Sequence, residues 1–178
     1  MGRIGMTVAL ALMTMAAWAG ENHMELQPEW EYVADTVMGG VSTGQIDHEE
    51  VAGRTAVRLT GDVSLENKGG FIQMAFDLAQ GEVMDASGWS GIEVDVIGAG
   101  EGYELRLRTD ELARPWHSYR TTLEVSDGWR RLRLPWDAFE QRKTDVPFDP
   151  ARLRRVGILA IGAQMQADIA VSGIRLYR

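Results

Sequence analysis

The run Asp35-Thr-Val-Met-Gly-Gly-Val-Ser-Thr-Gly44 puts a carboxylate, two adjacent glycines and a hydroxyl into one short stretch. Gly39 and Gly40 allow backbone N–H groups to converge, and Asp35 and Ser42 supply groups that bond either to those amides or to a ligand. The structural alternative is a tight turn with Met38 plugging the edge of a domain. A phosphate cradle is excluded, because no helical pattern follows the glycines and the lysine and hydroxyl of a phosphate-binding loop are missing. A second run, Ser64-Leu-Glu-Asn-Lys-Gly-Gly-Phe71, repeats the glycine pair. Here Asn67 and Gly69 or Gly70 are expected to take left-handed conformations, with Phe71 entering the core. Glu66 could bond a partner's amide, cap neighbouring N–H groups of its own turn, or contribute to a calcium site. Calcium would require six or more oxygens gathered from several loops.

A third group is cationic and aromatic. Arg106, Arg108, Arg120, Arg131 and Arg133 recur along the second half of the chain, with Trp116, His117 and Tyr119 close by. Projecting from one sheet face, they would stack on sugar rings or grip carboxylates and peptide carbonyls. The alternative is cross-strand pairing with Glu93, Asp95, Glu104 and Glu124. Catalytic readings have little to stand on. His23, His48 and His117 lie far apart without metal-ligand spacing, cysteine is absent, and Ser42, Ser64 and Ser118 lack a nucleophile-elbow context. Glu66 with Asp62 is the least unsuitable carboxylate pair for a glycosidase. No catalytic residue, metal site or cofactor is expected.

The elements that must position these residues are strands. From Trp30 onward, short alternating runs are broken by Gly, Asp, Asn and Pro, which predicts an antiparallel all-β domain. Strands are expected near 31–35, 44–47, 55–60, 70–78, 91–97, 103–109, 117–124, 129–134, 154–161 and 167–177. Tyr103, Leu105 and Leu107 share one strand face and Glu104, Arg106 and Arg108 the other. Ile92, Val94 and Val96 alternate with Glu93 and Asp95 in the same way. The run 156–161 is apolar almost throughout and reads as a central strand covered on both faces. One helical turn at 135–139 would fold Phe139 onto the sandwich edge, and 141–150 reads as a loop. The pattern fits a two-sheet β-sandwich, of either jelly-roll or immunoglobulin-like topology.

Composition sets the address and excludes some partners. Arg3, the apolar run 6–17 and Ala17-Trp18-Ala19 read as a secretory signal cleaved after Ala19. The run is shorter than the roughly 20 residues that span a bilayer. The division expected is therefore a signal peptide over 1–19, a flexible segment over 20–29 and one domain over 30–178. The product is exported, periplasmic if the source is Gram-negative, with no transmembrane segment after cleavage. The full chain carries 18 Lys plus Arg against 26 Asp plus Glu; cleavage removes only Arg3, leaving 17 against 26 and a formal charge of −9. That balance argues against nucleic acid as a partner. Without cysteine, an exported domain must be held by its core alone.

The two Gly-Gly motifs, in this order and spacing, resemble the complex I intermediate-associated protein family. The resemblance continues through Trp89-Ser-Gly-Ile-Glu-Val94, Tyr103-Glu-Leu-Arg-Leu-Arg-Thr-Asp110, Gly128-Trp-Arg-Arg-Leu-Arg-Leu-Pro-Trp136 and Val156-Gly-Ile-Leu-Ala-Ile-Gly162. It implies a galactose-binding-like jelly roll. It also implies a non-catalytic assembly factor or chaperone-like interaction protein, since the family's best-known members hold partly built NADH:ubiquinone oxidoreductase. Those members work on the matrix side, whereas a signal would export this chain, so the expected partner is a protein of a respiratory or envelope complex. A carbohydrate-binding protein of the cell envelope, with a glycan partner, is the alternative. The residues expected to carry either role are Asp35, Met38, Gly39, Gly40, Ser42, Glu66, Asn67, Arg106, Arg108, Trp116, Tyr119, Arg131 and Arg133.

Overall fold

The structure is a computed structural model that describes residues 22–178. The proposed signal peptide lies outside the described residues. In chain order the strands are β1 His23–Glu25, β2 Glu31–Ala34, β3 Thr43–Val51, β4 Arg54–Val63, β5 Phe71–Asp77, β6 Gly91–Ala99, β7 Tyr103–Thr109, β8 Ser118–Thr122, β9 Arg130–Pro135, β10 Glu140–Arg142, β11 Leu153–Ile161 and β12 Met165–Tyr177. They form two sheets. The first runs β3-β4-β12-β6-β9, with β1 also on β12; the second runs β10-β8-β7-β11-β5-β2. The strand-to-strand pairings are antiparallel. Strands distant in sequence sit between neighbours, β12 between β4 and β6 and β11 between β7 and β5, giving the crossed connections of a jelly roll. Among the described residues, no helix is long and apolar enough to cross a membrane.

The alternation in the sequence decides which face is core. Ile92, Val94 and Val96 of β6 and Leu59, Ile169 and Leu176 of the same sheet meet Tyr103, Leu105, Leu107, Val156, Ile158, Ile72 and Met74 of the other. Burying one such side chain contributes about 1.5–3 kcal/mol. Without disulfides, this contact between sheets is the main source of cohesion. The central position of 156–161 is as expected: Leu159 is buried although it faces away from the inter-sheet core, opposite Gln73 and Glu104.

Three expectations need correction. The segment read as flexible is built into the fold from residue 23: β1 pairs with the last residues of β12, the Leu26 amide donates to the Ile174 carbonyl at 3.0 Å, and Leu26 is buried. Three residues are too short for period-two alternation to register as a strand. Phe71 does not enter the core; its neighbour Ile72 does, fully buried, while Phe71 is half-buried on the other face of β5. Part of the expected loop 141–150 belongs to β10, which pairs with β8. The turn at Trp136–Ala138 forms as read, with Phe139 buried against Trp136 and Phe148.

Leu26→Ala tests the first correction. It should destabilise the domain by about 2–4 kcal/mol, measured by urea unfolding, as expected for truncating a packed leucine; a flexible segment would leave the midpoint unchanged.

Candidate functional site

The two glycine motifs meet at one carboxylate. Strand β2 ends at Ala34, and Asp35–Met38 forms a 3₁₀ turn closed by Gly39 at φ 88°. The turn's amides are satisfied locally, Gly39 N–H on the Thr36 carbonyl and Gly40 N–H on the Asp35 carbonyl. The Asp35 side chain points the other way, into the gap between the loops, and is fully buried. Its Oδ1 accepts the Ser42 amide at 3.0 Å; its Oδ2 accepts the Ser42 hydroxyl at 2.5 Å, the Gly70 amide at 2.6 Å and the Phe71 amide at 3.3 Å. The Ser42 Oγ in turn accepts the Ser64 amide at 2.9 Å. A Cβ on Gly40 or on Gly69 would overlap the Asp35 carboxylate, so each motif lacks a side chain where it faces that group.

Burial alone would push the Asp35 carboxyl up. The Ser42 hydroxyl and the amides of Gly70, Ser42 and Phe71 outweigh it and hold the group below the ordinary aspartate value. Tyr32 is affected in the opposite sense: burial, and then the charge of Asp35, push its phenol up. The donors around Asp35 all come from the chain itself, so this acid is a staple and not an open ligand site. Asn67 and Lys68 take left-handed conformations, φ 54° and 60°, and Gly69 does not. Glu66 and Asn67 are exposed on the second loop.

What the stapled loops present to solvent is apolar. Val37 is 72% exposed and Met38 59%, with Val41 and Leu65 also exposed, and these four are most of the large exposed apolar side chains among the described residues. Met38 therefore does not plug the sandwich edge. The sequence reading missed Val37, Val41 and Leu65. The available signal was the interleaving of aliphatic residues with turn residues, where neither strand nor helix period can bury them.

The basic stripe divides between two surfaces. Arg106 and Arg108 on β7 and Arg120 on β8 face out from the second sheet, while Arg131 and Arg133 on β9 face out from the first. Most of these guanidiniums pair within their own sheet. Glu104 takes Arg106 at 2.8 Å and Arg120 at 2.8 Å, Asp95 takes Arg131 at 2.9 Å, and Glu93 takes Arg133 at 2.7 Å. Arg175 adds a 3.2 Å contact to Glu93 and a short one to Asp95. The bond to Asp95 holds the Arg131 guanidinium above its ordinary pKa.

The aromatic residues do not form a flat platform. Tyr119 is fully buried, its hydroxyl on the Pro147 carbonyl at 3.1 Å. Trp116 is half exposed, edge-on to His117, with the Arg114 guanidinium 5.9 Å from its ring. Among the described residues, no cluster of three or more His, Cys, Asp or Glu is placed to hold a metal.

Comparison with known proteins agrees with this architecture. The profile of the family described as Complex I intermediate-associated protein 30 matches residues 20–170. No curated protein sequence matches the chain. A family 11 carbohydrate-binding module from Clostridium thermocellum, solved in complex with a β-1,3-1,4-mixed-linked tetrasaccharide, is similar at TM-score 0.65 and 12% identity, over 86% of this chain and 94% of that one. A family 30 carbohydrate-binding module of a Clostridium thermocellum cellulosomal cellulase is similar at TM-score 0.57 and 17% identity, over 86% and 88%. Likeness at such low identity establishes the shared jelly roll alone.

Asp35→Ala should cost about 3 kcal/mol or more in urea unfolding, because it strands buried N–H donors that served a charge. The sign with pH follows from the lowered pKa. The charged carboxylate's contribution is complete above the unfolded value near 3.9 and is lost as pH falls through the lower folded value. The gap in melting temperature between wild type and Asp35→Asn should therefore be full at neutral pH and narrow in acid below about pH 4.

Proposed function

The chain belongs to the Complex I intermediate-associated protein 30 family, and from that premise we propose that it is a non-catalytic assembly factor or chaperone-like protein that holds a protein client through its two stapled loops. One observation carries this reading: four aliphatic side chains, Val37, Met38, Val41 and Leu65, stand in solvent on loops locked by a buried carboxylate. A scattered exposed leucine needs no explanation, whereas a rigid apolar tip suits an apolar surface on a partner. The signal read at 1–19 supports a client in an exported compartment, a respiratory or envelope complex of the periplasm if the cell is Gram-negative. The mature charge of −9 speaks against nucleic acid. No turnover and no cofactor are part of the proposal.

A second reading, an exported carbohydrate-binding protein, draws support from the fold shared with carbohydrate-binding modules and from the exposure of Trp116. The burial of Tyr119 and the cover that Arg114 gives Trp116 weigh against a stacking platform.

In-cell crosslinking of the exported protein followed by mass spectrometry separates the two. Replacing Val37, Met38 and Leu65 together by Ser should reduce recovery of the specific partners by at least about tenfold, since each buried aliphatic contributes roughly 1.5–3 kcal/mol. Thermal stability should change little, because these side chains are exposed. An unchanged partner set would overturn the docking tip. A glycan-array signal abolished by Trp116→Ala would put the second reading in its place.

A further inference from the structure

Arg108 differs from the other sheet arginines. Arg106, Arg120, Arg131 and Arg133 each meet a carboxylate, whereas Arg108 has none within ion-pair distance among the described residues. A guanidinium carries five N–H donors. Here two of them are given acceptors, both neutral carbonyls, Pro115 at 2.7 Å and Arg114 at 3.1 Å. The side chain is half-buried, and its charged neighbours are chiefly like-signed. Burial, then Arg155 and Arg154, push its pKa down against the pull of Asp77. The nearby acids are already engaged: Asp77 holds Arg155 at 2.7 Å, and Asp110 holds Arg152 through two bonds of 2.8 and 2.6 Å. Arg154 is exposed and has no ion pair among the described residues.

These groups surround a cavity of about 220 Å³ bounded by Arg108, Arg154, Arg155, Asp77, Asp110 and Leu112. We propose that this cavity binds the oxyanion of a small ligand, a carboxylate or a phosphate, gripped by the Arg108 guanidinium with Arg154 beside it. Three physical arguments converge. A half-buried cation without a counter-charge is costly, and an anion offsets that cost. Arg108 gives one N–H from each terminal nitrogen to a carbonyl, which fixes the plane of the guanidinium and leaves Nε–H and the remaining terminal N–H groups as donors for an oxyanion. The cavity has room for several water molecules, and so for an oxyanion with attached carbons. On a chain of net charge −8, such a pocket is also a local reversal of sign, which selects anions against the surrounding field.

The site stands apart from the docking tip. Gly70, bound to Asp35, precedes the first residue of β5, and Asp77 is its last, a separation of roughly 20 Å at about 3.3 Å per residue. The carbonyls that hold Arg108 belong to the loop carrying Trp116, so occupancy would be felt there.

The test is a two-dimensional NMR titration of the mature protein at fixed ionic strength, following the Arg108 Nε–H and the amides of Leu112 and Arg154. The probes are D-glucuronate and inorganic phosphate, with D-glucose and sodium chloride as controls. Saturable shifts with either anion are expected. A response to phosphate alone identifies a phosphate site, and one to glucuronate alone a carboxylate site. Arg154→Glu, at an exposed position without structural bonds, should weaken binding at least tenfold with an unchanged melting temperature. Arg108→Lys, which keeps the charge and loses the fork, should do the same. The proposal is overturned if neither anion gives saturable shifts, if chloride or glucose reproduces them, or if Arg154→Glu binds as wild type does.

Discussion

A carboxylate removed from water must be given back the hydrogen bonds it loses, and the arrangement around Asp35 follows from that requirement. Stranded, such a group would cost several kcal/mol. Here the donors come from Ser42, Gly70 and Phe71, so the acid joins four places in the chain: the end of β2, the approach to β3, the end of β4 through Ser64, and the start of β5. Two of these strands lie in one sheet and two in the other. The bond set is therefore a clasp across the open edge of the sandwich. It also accounts for one glycine in each pair, because Gly40 and Gly69 are where a Cβ would occupy the space of the carboxylate. A structural turn and a ligand loop have the same composition; the direction of one side chain distinguishes them.

The outer faces obey a related rule. Glu93 lies on the outer face of β6 and yet is fully buried, under the guanidiniums of Arg133 and Arg175. Register puts Glu93 opposite Arg133 and Asp95 opposite Arg131 on one side, and Glu93 opposite Arg175 on the other. Replaced by apolar side chains, such a network would lose little stability. What it supplies is selectivity of alignment, since a two-residue slip of β9 against β6 would keep only one acid–arginine pair and leave the other acid opposite Trp129 or Pro135. Arg108 is the exception, an arginine in the same alternating pattern whose strand neighbours supply no free acid.

Sequence reached far into the fold because alternation is a local property. Tyr103, Leu105 and Leu107 could be assigned to the core, and Val156 onward to a central strand, without knowing what lay beside them. Sheet membership is not local. Nothing in Arg106 or Arg131 states that β7 pairs with β11 and β9 with β6, so one stripe in sequence became two surfaces on opposite sides of the sandwich. Phe71 shows the smaller version of that problem: in an apolar pair with Ile72, period two says that one residue is inside and does not say which. The N-terminal strand was hidden for a third reason, since a three-residue strand is defined by its partner, β12, and carries no pattern of its own. At the candidate site Asp35, Ser42 and the glycines were legible as a constellation. Their inward direction, and the aliphatic tip that results, depended on the distant amides of Gly70 and Phe71.

Rigidity and exposure at that tip are physically linked. An aliphatic side chain on a mobile loop can fold back onto its own domain and shed part of its hydration cost, whereas Val37, Met38 and Leu65 sit on turns whose backbones are tied to a buried anion. They are denied that relief and remain in water. For a partner docked as proposed, the same restraint lowers the cost of binding, because less entropy of these loops is lost when the contact forms. A tip of this kind would also draw copies of the chain together, and the strongly negative charge of the rest of the molecule opposes that by mutual repulsion. Under the proposed docking role, acidity and an apolar tip are therefore complementary properties: one opposes association of the protein with itself while the other is left for a partner.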